Sequence, residues 1–285
     1  MKQTFKYGSW YVEYTLEDGA RLERLCYKDF DLLTVEPESF KAPDADYGEY
    51  ETRPVYGYDD CFPSVEVSVF PGLEWKIPDH GEVCWLKWKN SDDEARMSFS
   101  IHSEVIPVHL KREIFFSESK LTWNFEVYNE SSKKIPFQHV MHPLIKLDDI
   151  SGMYFPDFKS VYNRTTNQNL NLKNSAEVQD FLLNRPSGTA TMLFLRAIKE
   201  GKMSWTYKNG LLIKATFPEK FFPSIGIWWN NNGYPNEPGI KRNECAFEPI
   251  PGFSSSLSEA FNENRCLWAK GKNRFKWQII WELFS

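Results

Sequence analysis

The chain has 285 residues, and 41% of them are hydrophobic, which is enough for a large core in one or two domains. Its net charge of −5 at pH 7 gives no basic footprint for nucleic acid, and its apolar runs are too short to span a bilayer. The N-terminal residues contain no apolar stretch of the secretory type, so we expect a cytoplasmic protein.

Apolar and polar residues alternate with a period of two in four segments along the chain. These are SWYVEYTL at 9–16, VEVSVF at 65–70, LTWNFEVY at 121–128 and FKWQIIWEL at 275–283. Such alternation predicts half-buried strands in antiparallel sheets, with one face on the core and the other on solvent.

Two dipeptides indicate hairpin turns between alternating runs. Asp18-Gly19 follows the first alternating segment, and Asn209-Gly210 lies between two later runs. Both dipeptides favour the positive φ of two-residue primed turns, so each predicts a tight β-hairpin.

Helical signals are few and short. Asn174 with Glu177, and Ser256 with Glu259, have the spacing of a capping box, and each pair predicts one short helix. No β-α-β rhythm is present, which argues against a parallel sheet. We therefore predict an all-β fold: one antiparallel β-sandwich domain over residues 1–285, with a few short helices.

Metal and redox chemistry have little support in the sequence. The five cysteines are widely spaced and form no CxxC pair, so free buried thiols are the simpler interpretation. Asp79, His80 and Glu82 carry possible ligands, but side chains one and three positions apart do not reliably converge. No HExxH motif or facial-triad spacing occurs. We expect neither a metal nor a cofactor.

Two of the five histidines lie beside turn-forming residues. His80 stands in PDHGEVC and His142 in HVMHPLIKL, next to a glycine and a proline respectively. A histidine at such a strand end faces outward from a rigid frame, where functional residues are often found. The alternatives are a solvated turn residue for His80 and a backbone-bonded strand-end residue for His142.

Glu248 is unusual because CAFEPIPGF places a carboxylate inside an apolar run. It lies either on the exposed face of a strand or partly buried. Burial would raise its pKa and make it a suitable general base.

Two further residues are candidates for contacts with a ligand. Asp60 lies in the polar segment GYDDCFPSV, where capping of a turn is the alternative role for both aspartates. Trp229 lies in GIWWNNNGYP, before an Asn/Gly-rich loop that could display an aromatic ring to a sugar, and core packing is its alternative role.

Four pieces of the sequence, in their order, resemble the galactose mutarotase-like superfamily of aldose 1-epimerases and hexose-6-phosphate epimerases. They are GYDDCFPSV, PDHGE, HPLIKL and FEPIPGFSSSL, followed by an apolar C-terminal strand, and they extend from residue 57 to the C-terminus. The resemblance implies an antiparallel β-supersandwich with a sugar cleft on the concave face of the larger sheet.

The resemblance also implies roles for individual residues. His142 and Glu248 match the catalytic acid and base, His80 matches a histidine that contacts sugar hydroxyls, and Arg53 is the match for a family arginine. The chain departs from the common pattern after Pro143. It has Val83-Cys84 where hexose-phosphate members carry an arginine, which weakens the phosphosugar interpretation.

A carboxylate and an imidazole can together catalyse the interconversion of the α and β anomers of a sugar. A base takes the proton of the C1 hydroxyl, an acid protonates the ring oxygen, and the opened sugar recloses on its other face. We therefore expect Glu248 as the base and an initially protonated His142 as the acid, in a monomer or homodimer that binds a small sugar. A non-catalytic carbohydrate-binding protein is the alternative. A glycoside-processing enzyme would need a second carboxylate beside Glu248, such as Asp60.

Overall fold

The structure is a computed structural model that describes residues 2–36, 47–235 and 241–285. No helix in these ranges is long and apolar enough to cross a membrane. The helices are α1 (Ser175–Leu183) and α2 (Leu257–Asn262), with 3-10 turns at Tyr50–Thr52, Val83–Trp85 and Leu147–Asp149. The first twelve strands are β1 (Lys2–Tyr7), β2 (Trp10–Thr15), β3 (Arg21–Tyr27), β4 (Phe30–Asp31), β5 (Tyr58–Cys61), β6 (Ser68–Val69), β7 (Lys76–Ile77), β8 (Lys89–Asn90), β9 (Arg96–His102), β10 (Val108–Ser117), β11 (Lys120–Asn129) and β12 (Ile135–Phe137). The remaining strands are β13 (Val140–Pro143), β14 (Ile145–Lys146), β15 (Ile150–Tyr154), β16 (Ser160–Asn163), β17 (Gln168–Leu170), β18 (Thr189–Arg196), β19 (Lys202–Tyr207), β20 (Leu212–Thr216), β21 (Ser224–Asn231), β22 (Asn243–Ile250), β23 (Leu267–Ala269) and β24 (Arg274–Phe284).

One layer of the molecule is an eight-stranded antiparallel sheet in the order β15-β19-β20-β24-β11-β10-β9-β8. Its centre is the pair β11 and β24, whose alternate residues are buried and exposed as the sequence pattern predicts. Trp123, Trp205 and Trp281 point from this sheet into the core.

The opposite layer consists of two six-stranded sheets. One has the path β1-β2-β3-β5-β13 with β4 beside β3, and the other has the order β14-β22-β21-β18-β16-β17. They join where Leu144 separates β13 from β14. Tyr58 of the first sheet lies 4.9 Å from the Trp123 ring, and Phe247 of the second lies 5.4 Å from Trp205, so both sheets cover the same core.

The all-β prediction is confirmed, since the named strand pairs in the described ranges are antiparallel and the two helices are short. Strands occupy most of 9–16, 121–128 and 275–283, as predicted. Both capping predictions are confirmed as well: Asn174 and Ser256 accept hydrogen bonds from the backbone of Glu177 and Glu259.

Two local predictions were wrong. In segment 65–70 only Ser68–Val69 is a strand, because Val65 and its neighbour donate their backbone N–H groups to Ser255 instead of to a sheet partner. The hairpins at Gly19 and Gly210 exist, but residues 16–20 and 208–211 form longer loops than two-residue turns.

Candidate active site

A cleft of about 440 Å³ lies on the face of the two joined sheets that points away from the eight-stranded sheet. This volume is within the usual range for small-molecule sites. The charged residues that line the cleft are Glu51, Glu66, Asp79, Arg164, Arg242, Glu244 and Glu248.

His142 and Glu248 meet at this cleft. His142 lies on β13 and Glu248 on β22, which runs beside β13 where the two sheets join. The Nε2 atom of His142 is 3.8 Å from Oε1 of Glu248, and the two residues are only 7% and 3% exposed. An imidazole and a carboxyl group therefore lie side by side at the cleft.

Burial shifts both members of this pair toward their neutral forms. It raises the pKa of Glu248 to about 8. Burial first, and the neighbouring His80 second, lower the pKa of His142 to about 3. At neutral pH burial thus favours an uncharged imidazole at His142 and a carboxylic acid at Glu248. This differs from the expectation of an initially protonated His142.

Gly226 leaves room for the carboxyl group of Glu248. It is the register partner of Glu248 in the pairing of β21 with β22. A Cβ atom at position 226 would lie 3.0 Å from Oε2 of Glu248 and 2.9 Å from Cε of Met192. The glutamate thus depends on a residue without a side chain on the adjacent strand.

His80 lies at the cleft beside His142, with ring centroids 4.9 Å apart. Its ring stacks on Tyr50 with centroids 3.6 Å apart and planes at 11°, and its Nδ1 is 3.1 Å from Oδ1 of Asp79. The adjacent Gly81 has a φ of +77°, and a Cβ there would lie 2.0 Å from the carbonyl oxygen of Phe62. Glycine at 81 is therefore required, which explains the PDHGE motif in terms of backbone packing.

Arg53 lies behind the cleft wall. Its guanidinium donates to Oδ2 of Asp59 at 2.7 Å, to Oδ1 of Asp18 at 2.6 Å and to the carbonyl oxygen of Cys84 at 2.8 Å. Asp59 in turn accepts a 2.8 Å hydrogen bond from the hydroxyl of Tyr50. Arg53 is 1% exposed, so it supports residues of the cleft and does not contact its space.

The structure does not bring Asp60 to the cleft. In the pairing of β5 with β13, Asp59 lies opposite His142 and Asp60 opposite the buried Met141, so the two aspartates point to opposite faces. Asp60 faces the core, where it pairs with Arg112 of the eight-stranded sheet. A glycosidase-type pair of Glu248 and Asp60 in one cleft is therefore excluded.

Trp229 also lies away from the cleft. Its neighbour Trp228 occupies the cleft position that was predicted for Trp229. Trp229 is 2% exposed in the core, whereas Trp228 lines the cleft and donates its Nε1–H to Glu244 at 3.2 Å. The residues of β21 alternate between the two faces, so a shift of one position changes the environment completely.

Sequence reasoning missed other cleft residues: Tyr50, Arg164 and Arg242. Tyr50 lies in a 3-10 turn that no motif indicates. Neither arginine belongs to a recognisable sequence motif, and only the contacts in the folded chain show that it lines the cleft. A signal for Trp228 existed in the alternation of β21, but the register that fixes its face comes from β22.

Three potential metal ligands approach one another at the floor of the cleft. Sγ of Cys61 and ring nitrogens of His80 and His142 lie within 4.8 Å of one another. Cys61 is fully buried, and burial raises the pKa of its thiol well above the ordinary value. A metal needs the thiolate form, so this position disfavours tight binding, and we assign no metal to the set.

Comparison with protein-family models and with curated proteins found no match to this sequence. Solved structures do match. A protein from Synechocystis superposes with a TM-score of 0.77 at 13% identity, over 99% of this chain and 95% of its own. A protein from Escherichia coli K12, described as a candidate aldose 1-epimerase, gives 0.73 at 13% identity over 100% and 99%. A galactose mutarotase-like protein from Lactobacillus casei gives 0.69 at 15% identity over 100% of both chains.

The chain therefore has the galactose mutarotase-like fold. The resemblance seen in the sequence is therefore confirmed for the fold. Sequence identities of 13% to 15% establish the fold and not the activity.

Proposed function

We propose that the protein is an aldose 1-epimerase that interconverts the α and β anomers of an unphosphorylated aldose by general acid–base catalysis. The observation that carries the proposal is the facing pair of His142 and Glu248, 3.8 Å apart at the cleft. A second buried carboxyl group, Glu244, also lines the cleft, but Trp228 and Asn230 already donate to it.

The reaction needs two proton transfers and no redox change. One group takes the C1 hydroxyl proton while the other gives a proton to the ring oxygen, so the C1–O5 bond breaks as the C1 carbonyl forms. After rotation about C1–C2, the two groups exchange roles and the ring closes on the other face. A pair with one group able to give a proton and one able to accept a proton can run this cycle in both directions.

The charges of the cleft favour a neutral sugar. Both oxygens of Glu66 already bind Arg164, at 2.9 and 2.5 Å, and Arg242 is held between Glu51 at 3.1 Å and Glu244 at 3.5 Å. Each arginine that lines the cleft is thus already paired with a carboxylate, which disfavours a phosphate group. The apolar face of a neutral sugar ring can instead pack against Trp228.

Anomer exchange in a panel of freshly dissolved aldoses and aldose phosphates, followed by polarimetry or NMR, tests the proposal. We expect a rate above the spontaneous one for at least one unphosphorylated aldose. Glu248→Gln and His142→Asn should each lower that rate by a factor on the order of 10² or more, with sugar binding largely retained. Glu126→Gln, at an exposed ion pair, is the control and should leave the rate unchanged.

Sugar binding without any acceleration would overturn the proposal. The non-catalytic carbohydrate-binding role would then replace it. Acceleration only for aldose phosphates would retain the epimerase chemistry and refute the substrate class.

A further inference from the structure

The ring of His142 contacts protein groups at both nitrogens. Its Nε2 faces Glu248 at 3.8 Å, while its Nδ1 is 3.4 Å from the hydroxyl oxygen of Tyr50. A neutral imidazole carries one N–H, and the partners of the two nitrogens decide which nitrogen holds it.

The direction of the Tyr50 hydroxyl follows from Asp59. Tyr50 has one O–H proton, and its oxygen is 2.8 Å from Oδ2 of Asp59. Burial alone would raise the pKa of Asp59, but the Arg53 and Arg21 guanidinium groups hold that pKa below its ordinary value, so the group is a carboxylate that can only accept. Tyr50 therefore donates to Asp59, and its oxygen is left to accept from His142.

We propose that Tyr50 is a positioning residue that fixes His142 as the Nδ1–H tautomer, with the unprotonated Nε2 directed at Glu248. The catalytic use of this ring rests on the proposed function, whereas the tautomer does not.

The surroundings of His142 agree with a neutral ring. The groups that face it are Tyr50, Glu248, His80 at a ring distance of 4.9 Å, the thiol of Cys61, and the charges of Asp59, Asp79 and Arg242. Burial and His80 disfavour the imidazolium most strongly and outweigh the two aspartates. The neutral ring then needs an N–H acceptor at only one nitrogen, and Tyr50 supplies it.

The tautomer can be measured without any sugar. Long-range ¹H–¹⁵N correlation spectra of protein with ¹⁵N-labelled histidine distinguish protonated from unprotonated ring nitrogens, and His142→Asn assigns the signal. We expect wild-type His142 to carry its proton on Nδ1 at neutral pH. A proton on Nε2, or on both nitrogens, would overturn the proposal.

Two matched tyrosine variants then test the cause. Tyr50→Phe should lose the Nδ1–H preference and lower kcat roughly tenfold or more, with KM changed by less than about threefold. Tyr58→Phe is the control, because Tyr58 makes the equivalent 2.6 Å bond to Asp60 on the core side of β5. It should leave the His142 tautomer unchanged.

The two proposals fail in different ways. A tautomer that persists in Tyr50→Phe would show that Tyr50 does not set it. A wild-type Nδ1–H signal in a protein that accelerates no anomer exchange would keep the positioning role and refute the epimerase activity instead.

Discussion

At the scale of single residues, burial favours the neutral forms of both His142 and Glu248. Free in water, the glutamate would titrate near 4.5 and the histidine near 6.5, so the carboxyl group would lose its proton first. Burial reverses this order, because the charged form of each group loses solvation free energy at the floor of the cleft. The pair then has an acid and a base available over a wide pH range.

The pH dependence of kcat/KM should reveal this reversal. Because the pKa of Glu248 is raised to about 8, deprotonation above that pH removes the only acid of the pair, and kcat/KM should fall about tenfold per pH unit. The pKa of His142 near 3 leaves the base intact down to acid pH. Initial mutarotation rates from pH 4 to 10, corrected for the spontaneous reaction, measure the profile. The two apparent pKa values of the profile describe the coupled pair and not either residue alone. A decline of kcat/KM that begins near pH 6.5 would contradict the assignment of Glu248 as the acid.

At the scale of elements, strand alternation decides which residues reach the cleft. On β5, Asp59 faces His142 while Asp60 faces the core, and on β21, Trp228 and Trp229 divide in the same way. Short sequence motifs identified the segments that line the cleft, because a motif is a property of neighbouring residues in the sequence. They could not select the face, because that depends on the partner strand and its register.

The pairing of β21 with β22 gives a prediction for Gly226. In Gly226→Ala the added methyl group would press on Glu248 and Met192, at 3.0 and 2.9 Å, and should displace the carboxyl group. We expect kcat to fall roughly tenfold or more, with a loss of stability of about 1–3 kcal/mol from overpacking. Gly152→Ala is the control, since its Cβ would meet only Oε1 of Gln179 at 3.5 Å. Unchanged kcat in Gly226→Ala would show that Glu248 tolerates the methyl group.

At the scale of the whole molecule, the sequence predicted the elements that depend on local residue patterns. Segments 121–128 and 275–283 alternate strictly, and they became the paired central strands β11 and β24. Segment 65–70 alternates equally well, yet its backbone is held by the distant Ser255. Tyr50 was unpredictable for the same reason, because its neighbours Asp59 and His142 are brought together only by the folded chain.

A buried polar cluster joins the two layers beneath the cleft. Arg112 of the eight-stranded sheet pairs with Asp60, which also contacts His139 at 2.9 Å and accepts a 2.6 Å bond from Tyr58. Burial would raise the pKa of Asp60, but Arg112 and then His139 hold it below the ordinary value. The cluster therefore contains a carboxylate and a guanidinium that depend on each other.

Breaking this ion pair should destabilise the whole molecule without removing any cleft residue. Arg112→Met leaves Asp60 as a buried carboxylate without its cation, so we expect a loss of about 3–5 kcal/mol in the free energy of unfolding. Asp60→Asn combined with Arg112→Met should cost less than the sum of the two single changes, because neither charge is then left alone. Urea unfolding with unchanged m-values measures these differences. Arg274→Met, at the exposed pair with Glu126 on the same sheet, is the control and should cost at most about 1 kcal/mol. Equal, small losses for Arg112→Met and Arg274→Met would show that the buried pair does not hold the layers together.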